Sequence, residues 1–170
     1  MNELNNLVSI VIPIYNESES IDLLIREIIK VMNSNKLDFE LILINDGSND
    51  STFNILNKLS SEIKELKVLN LRKNYGQTAA MAAGFDHSNG DIIITLDGDL
   101  QNDPHDIPDL IKNIKEGYDL VCGWRFVRKD KLISRRIPSK IANKLIGSVT
   151  GINLHDYGCS LKAFKKAIVK

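Results

Sequence analysis

Cysteine and aromatic residues are scarce in this sequence of 170 residues, which has 2 cysteines and 6% aromatic residues. The cysteines, Cys122 and Cys159, form no CxxC pair, and the 3 histidines are scattered along the chain. The sequence therefore has no zinc-ligand spacing. A chain with so little cysteine fits a reduced, cytoplasmic setting.

Net charge and long apolar runs are also missing. Lys and Arg total 22 against 22 for Asp and Glu, so charge gives no whole-molecule argument for binding nucleic acid or an anionic membrane. No apolar run approaches the roughly 18 residues that indicate a membrane span, and no leader-like segment opens the chain. As given, the sequence predicts a soluble domain.

The size and composition indicate one folded unit over residues 1–170, because a hydrophobic content of 43% can supply a sizeable core. The last residues, 168–170, come just after a new helix begins, and no stop signal follows them. We therefore expect a single domain that is truncated at its C-terminus, as part of a longer protein.

Strand-like runs rich in Val and Ile alternate with segments of helical periodicity. The predicted strands are 7–13, 39–45, 66–71, 92–97 and 119–123, and the predicted helices are 21–32, 51–61, 76–88 and 107–116. Such alternation predicts an α/β domain with a mostly parallel sheet and helices on both faces. Ligands of such folds gather beyond the carboxyl ends of the strands.

Polar residues follow the first two predicted strands, as Pro-Ile-Tyr-Asn-Glu at 13–17 and Asn-Asp-Gly-Ser at 45–48. Either segment alone is also explained by a turn that leads into a helix cap. Together they predict a nucleoside pocket, since a ring and an amide or carboxylate can grip a base. Asp46 can accept hydrogen bonds from a base N–H or from ribose hydroxyls.

The strongest signal is Asp97-Gly98-Asp99, which follows a buried strand directly. Two carboxylates so close repel unless a cation or donors lie between them, and hard oxygen ligands suit Mg²⁺ or Mn²⁺ shared with substrate phosphates. A calcium loop would need glycine where Asn102 stands. An acidic turn that caps the next helix remains the structural alternative.

Two other features concern phosphate. The sequence has no GxGxxG after a strand and no GxxxxGK[ST], which leaves phosphate neutralisation to a metal.

Residues 125–144 contain eight basic residues and one acid, and this run predicts a local phosphate partner, with Arg125, Arg135 and Arg136 as its candidates. A solvated charged loop would have the same composition.

These motifs, in this order, resemble glycosyltransferase family 2 with the A-type nucleotide-diphospho-sugar transferase fold, over essentially all 170 residues. Within that family, residues 97–104 and 156–164 resemble the polyprenyl-phosphate and dolichyl-phosphate sugar transferases. The sequence departs from the family at Asn45 and Asn102, where acidic residues are common.

The resemblance implies a donor site for a UDP- or GDP-sugar. It assigns base and ribose contacts to the ends of the first two strands, sugar-nucleotide contact to Asp97, and the metal, Mg²⁺ or Mn²⁺, to Asp99 and Gln101. The implied nucleotide-binding residues are Pro13, Tyr15, Glu17, Asp46 and Ser48.

On the acceptor side, the resemblance places Arg125 against phosphate, Arg135 and Arg136 in an acceptor loop, and Asp156 near the transferred sugar. It implies an inverting transfer to a polyprenyl phosphate on the cytoplasmic side of a membrane, with membrane contact through a missing C-terminal part. The alternatives are a family 2 enzyme with a glycan or other hydroxyl acceptor, a nucleotidyltransferase, and a non-catalytic nucleotide-sugar-binding domain.

Overall fold

A computed structural model describes residues 7–124 and 158–169. These described residues form six strands, four α-helices and two short 3₁₀ helices, Pro104–Asp106 and Lys166–Ile168. The strands are β1 (Val8–Ile14), β2 (Phe39–Asn45), β3 (Leu66–Asn70), β4 (Ile92–Thr95), β5 (Leu120–Cys122) and β6 (Lys162–Lys165). The helices are α1 (Ile21–Ser34), α2 (Thr52–Glu62), α3 (Gln77–Asp86) and α4 (Ile107–Lys115).

The strands form one sheet in the order β3-β2-β1-β4-β6-β5. Strands β1 to β4 run parallel to one another, whereas β6 is antiparallel to both β4 and β5. The predicted α/β class with a mostly parallel sheet is therefore confirmed. Strand β6 was not predicted, and the helix expected at the end of the sequence is a 3₁₀ turn instead.

Helices cover both faces of the sheet, as predicted. Side chains of β1 alternate between two cores: Ile10 and Ile12 pack with α1, α2 and α4, while Val11 packs on the opposite face with α3. On that face, α3 lies close to the sheet at Gly84, where a Cβ atom would collide with Val11 and Ile44. Because β1 pairs in parallel with β2 and with β4, the carboxyl ends of these three strands lie at one edge of the sheet.

A buried carboxylate, Glu40, joins three segments near the amino-terminal edge of the sheet. Its Oε1 accepts hydrogen bonds from Ser9 Oγ at 2.6 Å and from the Asn89 backbone N–H at 2.7 Å. Its Oε2 lies 2.6 Å from Lys67 Nζ and also accepts from Asn89 Nδ2. Burial acts to raise the pKa of Glu40, but these donors outweigh it and lower the pKa to about 2.

Candidate functional site

A cleft of about 320 Å³ opens where the carboxyl ends of β1, β2 and β4 meet. Because these strands are parallel neighbours, segments that are far apart in the sequence come together there. Six predicted site residues line the cleft: Pro13, Tyr15, Glu17, Asp46, Asp97 and Asp99. Ile14, Asn74, Gly76, Gln77 and Gly98 complete the lining.

The turn after β1 is held by residues that follow β2. Asn16 has a φ of 56°, a left-handed conformation that asparagine tolerates, and its backbone N–H donates to Ser48 Oγ at 3.0 Å. The Glu17 backbone N–H donates to Thr52 Oγ1 at 2.9 Å. Ser48 thus holds the turn that presents Tyr15, and it is not among the residues that line the cleft.

Asp46 anchors the loop between β3 and α3. Its side chain is buried, and its two carboxylate oxygens accept the backbone N–H groups of Tyr75 at 2.7 Å and Gly76 at 2.8 Å. The adjacent Gly47 has a φ of 67°, and a Cβ atom there would collide with the backbone of Lys73. The loop over residues 73–76 therefore packs directly on the end of β2 and forms one wall of the cleft.

Gln77, the first residue of α3, contacts one of the predicted carboxylates. Its Nε2 donates to Asp97 Oδ1 at 2.9 Å. Sequence reasoning did not find this residue or the 73–76 loop. The available signal was the run Asn74-Tyr75-Gly76 before a helix, which local rules interpret as a turn.

The segment after β4 brings Asp97 and Asp99 to the cleft, while Gln101 is exposed outside its lining. The Gln101 backbone N–H donates to Asp99 Oδ1 at 3.1 Å. Between them, Leu100 has a φ of 60°, which is strained for a leucine. Across residues 7–124 and 158–169, neither Asp97 Oδ2 nor Asp99 Oδ2 accepts a hydrogen bond.

The donor set fits a divalent cation whose coordination shell is completed by a substrate. No group of three or more His, Cys, Asp or Glu side chains that could hold a metal occurs in the described part of the chain. A cation such as Mg²⁺ is commonly bound through one or two carboxylates together with substrate phosphates and water. Asp97 and Asp99 provide such a pair in a cleft open to a ligand.

The acidic turn considered as an alternative is present, but it uses a different residue. Asp103 accepts the His105 backbone N–H at 2.9 Å and so caps the 3₁₀ helix before α4. The backbone and side chain of His105 hold the pKa of Asp103 below its ordinary value. Asp97 and Asp99 take no part in this cap.

A second cavity, of about 440 Å³, adjoins the cleft. It shares Gln77 and Asp97 with the cleft, so this hydrogen-bonded pair stands between the two spaces. Phe85 and Phe164, which pack edge to face, contribute to its lining together with Lys162. The second cavity therefore combines aromatic and polar groups next to Asp97, which the sequence predicts to contact the sugar-nucleotide.

The acceptor-side predictions concern Arg125, Arg135, Arg136 and Asp156, which lie outside the described residues. Their roles stay predictions from the sequence. Among the residues that the structure describes, no helix has the length and apolar character needed to cross a membrane.

Comparison with known proteins places the chain in a family. Residues 9–170 match Glycosyl transferase family 2. The chain belongs to this family. It is 47% identical over 165 residues to the dodecaprenyl-phosphate galacturonate synthase of Rhizobium johnstonii, covering 96% of the chain and 49% of that protein.

A second relative is the undecaprenyl-phosphate 4-deoxy-4-formamido-L-arabinose transferase of Shewanella sediminis. It is 45% identical over 170 residues, covering 99% of the chain and 51% of that protein. The family 2 chain thus spans about half the length of these curated relatives. Both names describe sugar transferases that act on a polyprenyl phosphate, the class that the sequence resembles.

Solved structures show the same fold. Glucosyl-3-phosphoglycerate synthase from Mycobacterium tuberculosis, in complex with Mn²⁺, uridine diphosphate and phosphoglyceric acid, superposes with a TM-score of 0.74 at 21% identity. The match covers 96% of the chain and 57% of the synthase. A mannosyltransferase from Pyrobaculum calidifontis in complex with GDP-Man and Mn²⁺ superposes with a TM-score of 0.67 at 16% identity. This match covers 95% of the chain and 45% of the mannosyltransferase. The predicted A-type glycosyltransferase fold is confirmed.

Proposed function

We propose that this family 2 domain transfers a sugar from a nucleoside-diphosphate sugar to a polyprenyl phosphate, with inversion at the anomeric carbon. The observation that carries the proposal is the convergence of the ends of β1, β2 and β4 on one cleft with Asp97 and Asp99 at its side. The names of the relatives that share 47% and 45% identity support the acceptor class.

The nucleoside of the donor would lie against Pro13, Tyr15 and Glu17. The Tyr15 side chain is 44% exposed, so its ring is available to a base. Asp46 would act mainly through the loop it anchors, because both its oxygens already accept backbone N–H groups. Each of those oxygens retains a second lone pair for a base N–H or a ribose hydroxyl.

The diphosphate would lie beside Asp97 and Asp99, which would hold Mg²⁺ or Mn²⁺ together with Gln101. The bound cation supplies electrostatic stabilisation of the departing diphosphate. Since Gln101 lies outside the cleft lining, it would contribute only if its side chain turns inward. The glycosyl group would then extend past Gln77 and Asp97 into the second cavity, which shares both residues.

The reaction would be a single displacement. An oxygen of the acceptor phosphate forms a bond to the anomeric carbon, and the bond to the nucleoside diphosphate breaks on the opposite face. A phosphate monoester is mostly dianionic at neutral pH, since its second pKa is about 6, so this step needs no general base. Asp156 would orient the sugar, and Arg125, Arg135 and Arg136 would meet phosphates. We propose that the reaction takes place at the cytoplasmic side of a membrane.

Thermal unfolding with a panel of UDP-sugars and GDP-sugars, with and without Mn²⁺, tests the donor site. A donor at 100 times its dissociation constant adds about 2.7 kcal/mol, which raises the unfolding midpoint by roughly 5 to 10 °C in a domain of this size. We expect the shift to require Mn²⁺, to occur with one base, and to be lost in Asp99→Ala. Asp109→Ala, which removes an exposed acid on α4, is the matched control and should keep the shift.

Transfer of the donor's sugar to undecaprenyl phosphate, compared with a glycan acceptor, then tests the acceptor. Product formed only with the lipid phosphate supports the proposal. Product formed only with a hydroxyl acceptor would make the chain a family 2 enzyme of another acceptor class. A folded wild-type chain that shows no shift with any donor would contradict the donor site itself.

A further inference from the structure

Residues 96–101, which contain Asp97 and Asp99, form a segment that we call the carboxylate loop. Ser160 is hydrogen-bonded to residues on both sides of this loop. Thr95, the last residue of β4, donates from Oγ1 to the Ser160 carbonyl oxygen at 2.7 Å. Asn102, which follows Gln101, donates from Nδ2 to Ser160 Oγ at 2.7 Å. The segment from Leu96 to Gln101, with both carboxylates, is therefore closed at its base by one residue. We call Thr95, Asn102 and Ser160 the Ser160 bracket.

Two of the three residues of the bracket are shielded from water, while Ser160 is half-buried. Thr95 is 2% exposed and Asn102 is 6% exposed. The thiol of the buried Cys159 also lies 3.7 Å from Asn102 Oδ1, so the amide contacts two successive residues of this segment. Breaking one of these contacts would leave a buried polar group unsatisfied, and such groups are costly. The ends of the loop are accordingly well fixed.

Ser160 is itself anchored to the sheet. Strand β6 begins two residues later, and its first residue, Lys162, pairs with Thr95 in the antiparallel register of β4 and β6. The side chain of Leu161, between them, is buried in the core. The bracket thus fixes the ends of the carboxylate loop relative to the central sheet.

The tip of the same loop is more exposed than its ends and is held by fewer hydrogen bonds. Leu100 is 43% exposed and holds a left-handed backbone conformation. Apart from the bonds of Gln77 to Asp97 and of Gln101 to Asp99, no hydrogen bond of the described residues fixes the two carboxylates. Their separation is therefore set mainly by where the loop begins and ends.

We propose that Ser160, Asn102 and Thr95 are positioning residues that set the geometry of Asp97 and Asp99 for a divalent cation. This inference rests on the proposed metal site, and it gives a role to part of the 156–164 motif that the proposed function leaves without one. It also gives a role to Asn102. Its amide donates to Ser160, which an ionised carboxylate at this position could not do.

Mn²⁺ binding, measured by calorimetry with UDP and with GDP present, tests the bracket. The variants are Ser160→Ala, Asn102→Ala and the double variant. Loss of groups that orient metal ligands typically weakens metal affinity 10-fold to 100-fold, and we expect at least roughly 10-fold for each single variant. The Mn²⁺ affinity of the double variant should be lower than that of either single variant by no more than about 3-fold, because the two substitutions remove the same hydrogen bond between Asn102 and Ser160.

The matched control is Ser88→Ala. Ser88 is buried, and among the described residues its hydroxyl donates one hydrogen bond, to the Gly84 carbonyl at 2.8 Å. It lies between α3 and the start of β4, whereas the carboxylate loop follows the other end of β4. It should unfold at a lower temperature yet bind Mn²⁺ as the wild type does. Affinity for the metal-free nucleotide should be unchanged in all variants, a result that general loss of structure would not give.

The outcomes separate the two proposals. Wild-type Mn²⁺ binding that persists unchanged in Ser160→Ala and Asn102→Ala overturns the bracket and leaves the metal site standing. Equal losses of Mn²⁺ and metal-free nucleotide affinity also overturn it, because the effect would then be general. Absence of Mn²⁺ binding to the folded wild-type chain overturns the proposed metal site together with the bracket.

Discussion

Replacing Asp46 with asparagine tests whether this side chain serves the ligand, the fold or both. Asp46 lines the cleft, but its carboxylate also accepts the backbone N–H groups of Tyr75 and Gly76. Asparagine has one carbonyl oxygen, so it can accept only one of these groups at its old position. Its amide nitrogen would face the other N–H, donor against donor.

The size of the effect follows from these contacts. Hydrogen bonds to charged groups contribute about 1.5 to 3 kcal/mol, and a buried N–H left unsatisfied costs about 1 to 3 kcal/mol. Because Asp46 is only 3% exposed, water cannot readily replace the missing acceptor. We expect Asp46→Asn to lose about 2 to 3 kcal/mol in the free energy of unfolding. In a domain of this size the midpoint falls by roughly 5 to 10 °C.

The assay is urea and thermal unfolding without any ligand, followed by donor titration. Asp99→Asn is the matched control, since within residues 7–124 and 158–169 Asp99 accepts a single hydrogen bond, from the Gln101 backbone N–H in its own loop. Its free energy of unfolding should stay within about 0.5 kcal/mol of wild type, while its metal-dependent donor binding is lost. If ligand-free Asp46→Asn unfolds at the wild-type midpoint, Asp46 does not hold the loop, and a direct ligand contact would be its main role.

Two further predictions concern stability. Glu40 has its pKa lowered from 4.5 to about 2, so it stabilises the fold above pH 4.5 and loses this effect as the pH falls towards 2. At 1.36 kcal/mol per pH unit the effect is about 3 kcal/mol. In urea unfolding at pH 7, the free energy of unfolding of Glu40→Gln should be lower than that of the wild type by this amount. The difference should narrow as the pH is lowered, and a difference that stays constant with pH would refute the prediction. Leu100→Gly should stabilise by about 1 kcal/mol, since glycine relieves the left-handed strain. Leu100→Ala should not stabilise the fold, because alanine is also strained in this conformation. Equal changes in the free energy of unfolding for the two variants would refute backbone strain at Leu100.

Most of the fold could be predicted from the sequence because the central strands β1, β2 and β4 are buried on both faces. Runs such as Val8–Ile14 and Phe39–Asn45 are almost entirely apolar, and this pattern indicates parallel strands covered by helices. Strand β6 has the sequence Lys-Ala-Phe-Lys and only four residues. Its pairing depends on β4 and β5, which local sequence does not specify.

The site could be predicted where the relevant residues directly follow a strand. Asp97 and Asp99 were found in this way, because the end of a parallel strand is also the ligand edge of the sheet. The lining residues Asn74, Gly76 and Gln77 were missed, since they follow β3 by several residues. Asp46 anchors their loop through the backbone N–H groups of Tyr75 and Gly76. Contacts that join residues 29 or 30 positions apart depend on the tertiary fold.

The number of hydrogen bonds that a carboxylate accepts separates the acids that stabilise this fold from those left available to a ligand. Glu40 accepts four, and Asp46 accepts one on each oxygen. From the part of the chain that the structure describes, Asp97 and Asp99 each accept one, on Oδ1. The sequence shows all four only as acids in or just after a strand. Because unsatisfied acceptors in a cleft attract cations and donors, Asp97 and Asp99 are the carboxylates whose loss should remove metal-dependent donor binding without unfolding the ligand-free chain.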